Sequence, residues 1–475
     1  MMRPFRPLRP EMRDSVPKQS RTPSAETFRR YMCRGLGRCA LILDSTEDLA
    51  RYKETVLWGC LHPLSYDPQF EGTRAYYVYT LCSFFEDDGY FLRPTIDAYR
   101  RVSLRSDRLF EHLSELLRRF AEDGSAEAMA ALEEKYALLY DALLQKRGRT
   151  GSRDYARDAF ERLCLTLQSM QNETRILKIA ADMGRLFREN PRYGEDDFDW
   201  FFYAMDEGIG RRHLCALLRR EAKSSAETEL FYERYVAFHA ARGESIPSKK
   251  PVAPSADDVV KAVEAEGALA PSLRVRFAKH ASEDERHALA EAVLREEDPG
   301  AKAELLSAFA RQHEGFPLSH EALITYAEGE HPALRDTARE VLTGCQSKEV
   351  YAYGHLLLAR RTHVTDALKM LISNYRACDK PLLLRELSRL RVGYRETVDW
   401  HGVGSSILSA KDLGVRLPTD FFLYVYETTL CSFCRECAVR ALAARHAFTR
   451  DLIEECLYDS NAEISRYAQR YFSRR

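Results

Sequence analysis

Chain breakers are scarce. Among 475 residues there are 23 Gly and 18 Pro, below the average of about 7% and 5% for soluble proteins. Five of the prolines (Pro4, Pro7, Pro10, Pro17 and Pro23) fall in the first 25 residues, so the rest of the chain is poorer still in residues that interrupt helices. Long hydrophobic runs are missing too. Stretches such as Phe421 to Tyr426 fall far short of the roughly 18–20 apolar residues that a bilayer-crossing helix needs, and no membrane span is expected. No stretch alternates apolar and polar residues between turn signals well enough to read as a sheet. Phosphate-cradling glycine loops, G-x-G-x-x-G and H-E-x-x-H do not occur, which removes the enzyme classes that those motifs carry. Nor is either charge in excess. The balance of 71 Lys+Arg against 72 Asp+Glu argues against a broad nucleic-acid-binding surface.

What is present is an ordinary globular mixture, 45% hydrophobic and 30% charged, which excludes wholesale disorder. Residues 1–25 depart from it. Arg3, Arg6, Arg9, Arg13, Lys18 and Arg21 stand against Glu11 and Asp14 among repeated X-Pro steps, the pattern of a disordered basic tail. The tail lacks the apolar segment of a secretory signal. The 12 cysteines are scattered from Cys33 to Cys456. Most, such as Cys60, Cys82, Cys164 and Cys215, sit among apolar helical residues, where a free thiol acts as a small hydrophobe; a cytoplasmic location is expected.

From about Thr27 the pattern is amphipathic helix, polar turn, amphipathic helix. Ser282-x-x-Glu285 and Ser460-x-x-Glu463 have capping-box spacing, and Asp298-Pro299 and His331-Pro332 put Pro where a helix's first turn tolerates it. The clearest linker is 242–257, with Pro247, Pro251 and Pro254 among serines and no apolar period. It separates a helical N-terminal domain at 26–241, either divergent repeats or a bundle, from a repeat domain at 258–475. A second, basic interruption lies at Gln145 to Asp154.

The repeat is the most informative feature. Apolar positions i, i+4, i+7 and i+8 recur as Ala301, Leu305, Ala308, Phe309; Leu334, Ala338, Val341, Leu342; Cys434, Ala438, Ala441, Leu442; and Ile464, Ala468, Tyr471, Phe472. Each set forms one stripe on a helix, preceded by a second amphipathic helix, so the unit is a helix pair. Glu330-His-Pro332-Ala-Leu334-Arg335-Asp-Thr-Ala338 and Asp459-Ser-Asn461-Ala-Glu-Ile464-Ser-Arg-Tyr-Ala468 resemble the inter-helix turn and second helix of HEAT repeats, with Cys434-Arg435-Glu-Cys-Ala438 a copy in which Thr429 stands for the turn Asp. The resemblance covers about 256–475. It implies an all-α fold, an α-solenoid of stacked antiparallel helix pairs, in which Leu334, Arg335, Ala338, Arg435, Ala438, Ile464 and Ala468 are structural. In the family the turn-proximal Arg bridges to a neighbouring repeat's turn Asp, a role this implies for Arg335 and Arg435.

Candidate sites are few. Cys431-x-x-Cys434-x-x-Cys437 has metal-like spacing, with His446 and Cys456 downstream. On one continuous helix, however, three such thiols spread over about 120° of arc and do not converge, so packed thiols are expected and neither metal nor cofactor is assigned. Glu86-Asp87-Asp88 and Glu195-Asp196-Asp197-x-Asp199 lack the calcium-loop pattern and read as helix starts. Tyr394 to Ser406 reads as a long inter-helix connection with Arg395, Trp400 and His401, a possible partner-binding loop. Asp399, His401 and Ser405 lack a nucleophile elbow, and no catalytic residue is assigned. Arg211, Arg212, Arg219 and Arg220 form the purest basic stretch.

The expected function is a non-catalytic intracellular scaffold that binds another protein through a curved repeat surface. The HEAT-like resemblance implies two alternatives: nucleic-acid binding of the kind HEAT-like DNA glycosylases perform, and bilin attachment by HEAT-like lyases. A near-neutral chain makes nucleic acid a possible but not a favoured partner.

Overall fold

The computed structural model describes residues 23–67, 71–145, 155–189, 198–243, 253–310, 315–390 and 398–472. Most of the expected tail, the interruption at 146–154 and the linker core at 244–252 lie outside them. Among the described residues helix accounts for 76% and forms 26 α-helices, far above the roughly one third usual in globular proteins. No strand occurs among the described residues. None of their helices is long and apolar enough to cross a membrane.

The chain divides into two compact units. One contains residues 1–247 together with 450–475, the other residues 248–449. This grouping differs from the single boundary expected at 242–257, because the last two helices return to the first unit.

In the first unit, helix Asp107–Glu122 shows how the sequence builds the core. Phe110, Leu113, Leu117 and Phe120 recur every three or four residues and are buried, against helices Ala75–Cys82, Ala126–Gln145 and Tyr155–Gln168. Each such side chain contributes about 1.5–3 kcal/mol on burial. Helices Glu173–Glu189 and Ala226–Gly243 approach so closely that a Cβ at Gly184 would stand 1.8 Å from the Glu227 carbonyl oxygen. Only glycine permits that approach.

Helices Arg450–Cys456 and Ala462–Phe472 close this unit against its first helices. Arg38 Nε donates to Glu455 Oε1 at 2.9 Å, and the Ser460 N–H donates to the Gly35 carbonyl at 2.9 Å. Ile464 and Ala468, expected to end the repeat domain, are buried here. At the start of the last helix Asn461 Oδ1 accepts the Glu463 N–H at 2.8 Å.

In the second unit, helices pair through short turns: His320–Ala327 with Pro332–Leu342, Lys348–Arg360 with Val364–Ser373, and Thr419–Thr428 with Ser432–Ala444. Helices two apart also pack, as His320–Ala327 does on Lys348–Arg360 and Pro332–Leu342 on Val364–Ser373. Ser282 caps its helix as expected, accepting the Glu285 N–H; Pro299 and Pro332 stand in first turns as expected, and the side chains before them, Asp298 and His331, accept the N–H of Ala301 and Leu334. Glu285 does not complete a box; it accepts the Ala256 N–H at 2.6 Å.

That bond is one of several joining segments 29 to 35 residues apart. The Leu269 N–H donates to Glu304 Oε2 at 2.9 Å, Arg286 to the Gly315 carbonyl at 2.9 Å, the Ser373 hydroxyl to the Thr343 carbonyl at 2.7 Å, and the Asn374 amide to the Cys345 carbonyl at 2.9 Å. Leu334, Ala338, Arg435 and Ala438 are buried. Arg335 corrects its implied role. It stays part-exposed and pairs with adjacent Asp336 at 3.6 Å, while Arg339, one turn on, is the buried arginine and donates to the Ala327 carbonyl at 3.2 Å.

Candidate functional site

The expected loop at 394–406 is helical from Val398 to Ser409. Arg395 and the side chain of Asp399 lie outside the described residues. Gly402 and Gly404, within the stretch read as a connection, make room within the helix. A Cβ at Gly404 would lie 3.1 Å from the Trp400 ring, and one at Gly402 3.0 Å from the Lys369 side chain. Trp400 is only 5% exposed. Its indole N–H donates to the Tyr424 hydroxyl at 3.0 Å, and that hydroxyl donates to the Leu387 carbonyl at 2.9 Å. Trp400 is therefore a core residue with a satisfied polar edge, which corrects its assignment to a partner-binding loop.

His401, the next residue, is half-buried and faces Cys434, with Nε2 3.4 Å from Sγ. It is not turned toward Ser405, which is exposed one helical turn away. Helix Val398–Ser409 packs on helix Ser432–Ala444 and so brings together residues 33 apart in sequence.

The cysteines converge because Cys431 is not on the helix. The Cys431 N–H donates to Thr429 Oγ1 at 3.0 Å, and the Thr429 hydroxyl lies 3.3 Å from the Cys431 carbonyl. Thr429 is fully buried. This turn holds Cys431 in extended backbone (φ −75°, ψ 117°) as the N-cap of helix Ser432–Ala444. Its sulfur folds back over the first turn and accepts the Cys434 N–H at 3.5 Å. A ring nitrogen of His401, Cys431 Sγ and Cys434 Sγ all lie within 4.8 Å of one another, with both cysteines buried.

Cys437, His446 and Cys456, the rest of the expected group, are not members of this trio. Cys437 is half-buried, and burial, then Glu436, raises its thiol pKa. His446 is exposed in a turn, and Cys456 is buried in the first unit. Of the acidic groups, Asp87 caps helix Asp88–Arg101 by accepting the Tyr90 N–H at 3.2 Å, and its bond to Lys53 at 3.1 Å lowers its pKa. Glu195 to Asp197 lie outside the described residues. The sequence showed the Cys-x-x-Cys spacing but gave no sign that His401 would join it.

The first unit presents a different feature. Helix Asp199–Ile209 buries Phe201, Phe202 and Met205 but leaves Trp200 43% and Tyr203 48% exposed, three residues apart on one flank. Helix Arg211–Glu221 follows after Gly210 and exposes Arg211, Arg212, Arg219 and Arg220. Of these, Arg220 pairs with Glu173 at 3.3 Å. Exposed aromatics and arginines are the residue types that dominate protein recognition surfaces. No protein-family model, no curated protein and no solved structure matches the chain.

Proposed function

We propose that the chain is a non-catalytic adaptor of the cytoplasm that binds an acidic, apolar protein segment through the first unit, with the second unit a short HEAT-like α-solenoid. The observation that carries the binding reading is the exposure of Trp200 and Tyr203 on helix Asp199–Ile209, followed in the chain by the exposed arginines of helix Arg211–Glu221. An apolar side chain of the partner packs on the two rings, and its carboxylates meet the guanidinium groups. The solenoid reading is supported by the packing of helices two apart and by the bonds at 29 to 35 residue separations. The scatter of the 12 cysteines along a long chain, rather than in a small framework, fits a reducing compartment.

The test is capture of partners on the full chain beside a gel shift with DNA and RNA at low salt. This reading expects a protein partner that is lost with Trp200→Ala/Tyr203→Ala and weakened by Arg212→Glu/Arg219→Glu, and no shifted nucleic acid. A nucleic-acid shift that those arginine changes abolish, with no protein partner depending on the aromatic pair, would replace it with the nucleic-acid reading.

A further inference from the structure

We propose that His401, Cys431 and Cys434 bind one Zn2+ ion in the second unit. The argument starts from the donors. Two sulfurs and an imidazole nitrogen are the borderline-soft set that selects zinc over magnesium or calcium, which take oxygen. A tetrahedral ion with Zn–S of about 2.3 Å and Zn–N of about 2.0–2.1 Å sets its donors roughly 3.6–3.8 Å apart. The Nε2 to Cys434 Sγ distance is 3.4 Å, and no donor pair exceeds 4.8 Å. Small side-chain rotations bring all three atoms to bonding distance.

The backbone is already shaped for this. Thr429 fixes the turn that aims Cys431 back at Cys434, so the pair forms a Cys-x-x-Cys knuckle over a helix N-terminus, where amide dipoles favour thiolates. His401 arrives from a separate helix, so the ion ties helix Val398–Ser409 to helix Ser432–Ala444. Binding displaces one proton from each cysteine, and neutral His401 coordinates through Nε2. Three protein donors leave the fourth corner to water, on the side where half-buried His401 reaches the surface.

The experiment uses the full chain, purified in reducing buffer without chelator. Metal analysis is followed by stripping and titration with Zn2+ and with Co2+, whose sulfur-to-metal charge-transfer and visible d–d bands report a tetrahedral thiolate site. The expected result is one ion per chain and a cobalt spectrum of two thiolates. Affinity should fall in Cys434→Ser and His401→Ala by more than the roughly 10–100-fold that loss of an outer-shell partner costs. Cys437→Ser should bind as the unchanged chain does. Helicity by circular dichroism identifies any variant that fails to fold, and the unchanged chain's own titration stands whatever the variants do. A chain that takes up no Co2+ or Zn2+ overturns the site, as does one whose Cys431 and Cys434 are joined as a disulfide in reducing buffer. Loss of binding in Cys437→Ser overturns the three-residue set.

Discussion

Gly37 lies against the carbonyl oxygen of Glu455: a Cβ at residue 37 would stand 1.9 Å from that atom and 2.9 Å from the Tyr458 carbonyl carbon. Beside it, Arg38 and Glu455 pair at 2.9 Å with both side chains largely buried. The last helices of the chain are thus seated on its first, in a gap that only a hydrogen at Gly37 fits.

Gly37→Ala forces that gap open. Overpacking of this kind costs about 1–3 kcal/mol, and urea unfolding should show the loss. Hydrogen exchange should rise in helices Arg450–Cys456 and Ala462–Phe472. Unchanged stability and unchanged exchange would show that the C-terminal pair is not seated there.

Asn374 clasps two turns of the second unit. Its amide nitrogen donates to the carbonyls of Cys345 and Met370, each at 2.9 Å, and its oxygen accepts the Ser347 N–H at 2.9 Å. Asn374→Ala removes the side-chain partner of the Cys345 carbonyl and the Ser347 N–H, while the Met370 carbonyl keeps the residue-374 backbone N–H, a loss of about 1–3 kcal/mol. The effect should appear as faster amide exchange at 345–347 before the rest of the unit.

His112 makes stability pH-dependent. It is buried on helix Asp107–Glu122 with Nε2 3.0 Å from the Gly59 carbonyl, and burial pushes its pKa down to about 4 from an ordinary value near 6.5. The unfolded chain therefore binds a proton between those values that the folded chain does not. Its stabilising effect is complete above about pH 6.5 and is lost as pH falls toward 4, with a slope near 1.4 kcal/mol per pH unit. His112→Gln removes one proton from the wild-type slope, which unfolding curves from pH 7.5 to 4.5 measure. Parallel pH profiles for the two proteins would contradict the assignment.

Trp400→Phe keeps an aromatic ring but deletes the donor to Tyr424. The expected cost is about 1 kcal/mol of stability, with partner capture unchanged. The opposite result, intact stability and lost capture, would return Trp400 to the surface.

Residue type alone carried much of this fold. Scarce Gly and Pro, the stripes at Leu334 and Ala338 or Cys434 and Ala438, the cap at Ser282 and the first-turn Pro299 and Pro332 all rest on local rules, and each is helical, buried or capping as those rules require. The failures are non-local. Arg38 and Glu455 are 417 residues apart, and nothing near either marks the other. The Ser460 N–H donates to the carbonyl of distant Gly35, a bond that the local box spacing does not foretell. Gly402 and Gly404 lie in a stretch that reads as a connection because their second use, admitting a ring or a lysine stem within a helix, depends on neighbours brought in by packing. For the same reason Cys431, Cys434 and Cys437 were placed on one helix, whereas Thr429 turns Cys431 out of it and His401 comes from another.

The central claim is that a protein partner is held by the aromatic pair on helix Asp199–Ile209. Its most direct test is the affinity of the captured partner for the unchanged chain and for Trp200→Ala, by calorimetry at two salt concentrations. A central aromatic anchor is worth about 2 kcal/mol or more, so the account predicts at least a roughly 30-fold rise in Kd, with further weakening at high salt as the arginines are screened. An affinity that Trp200→Ala leaves unchanged would contradict it.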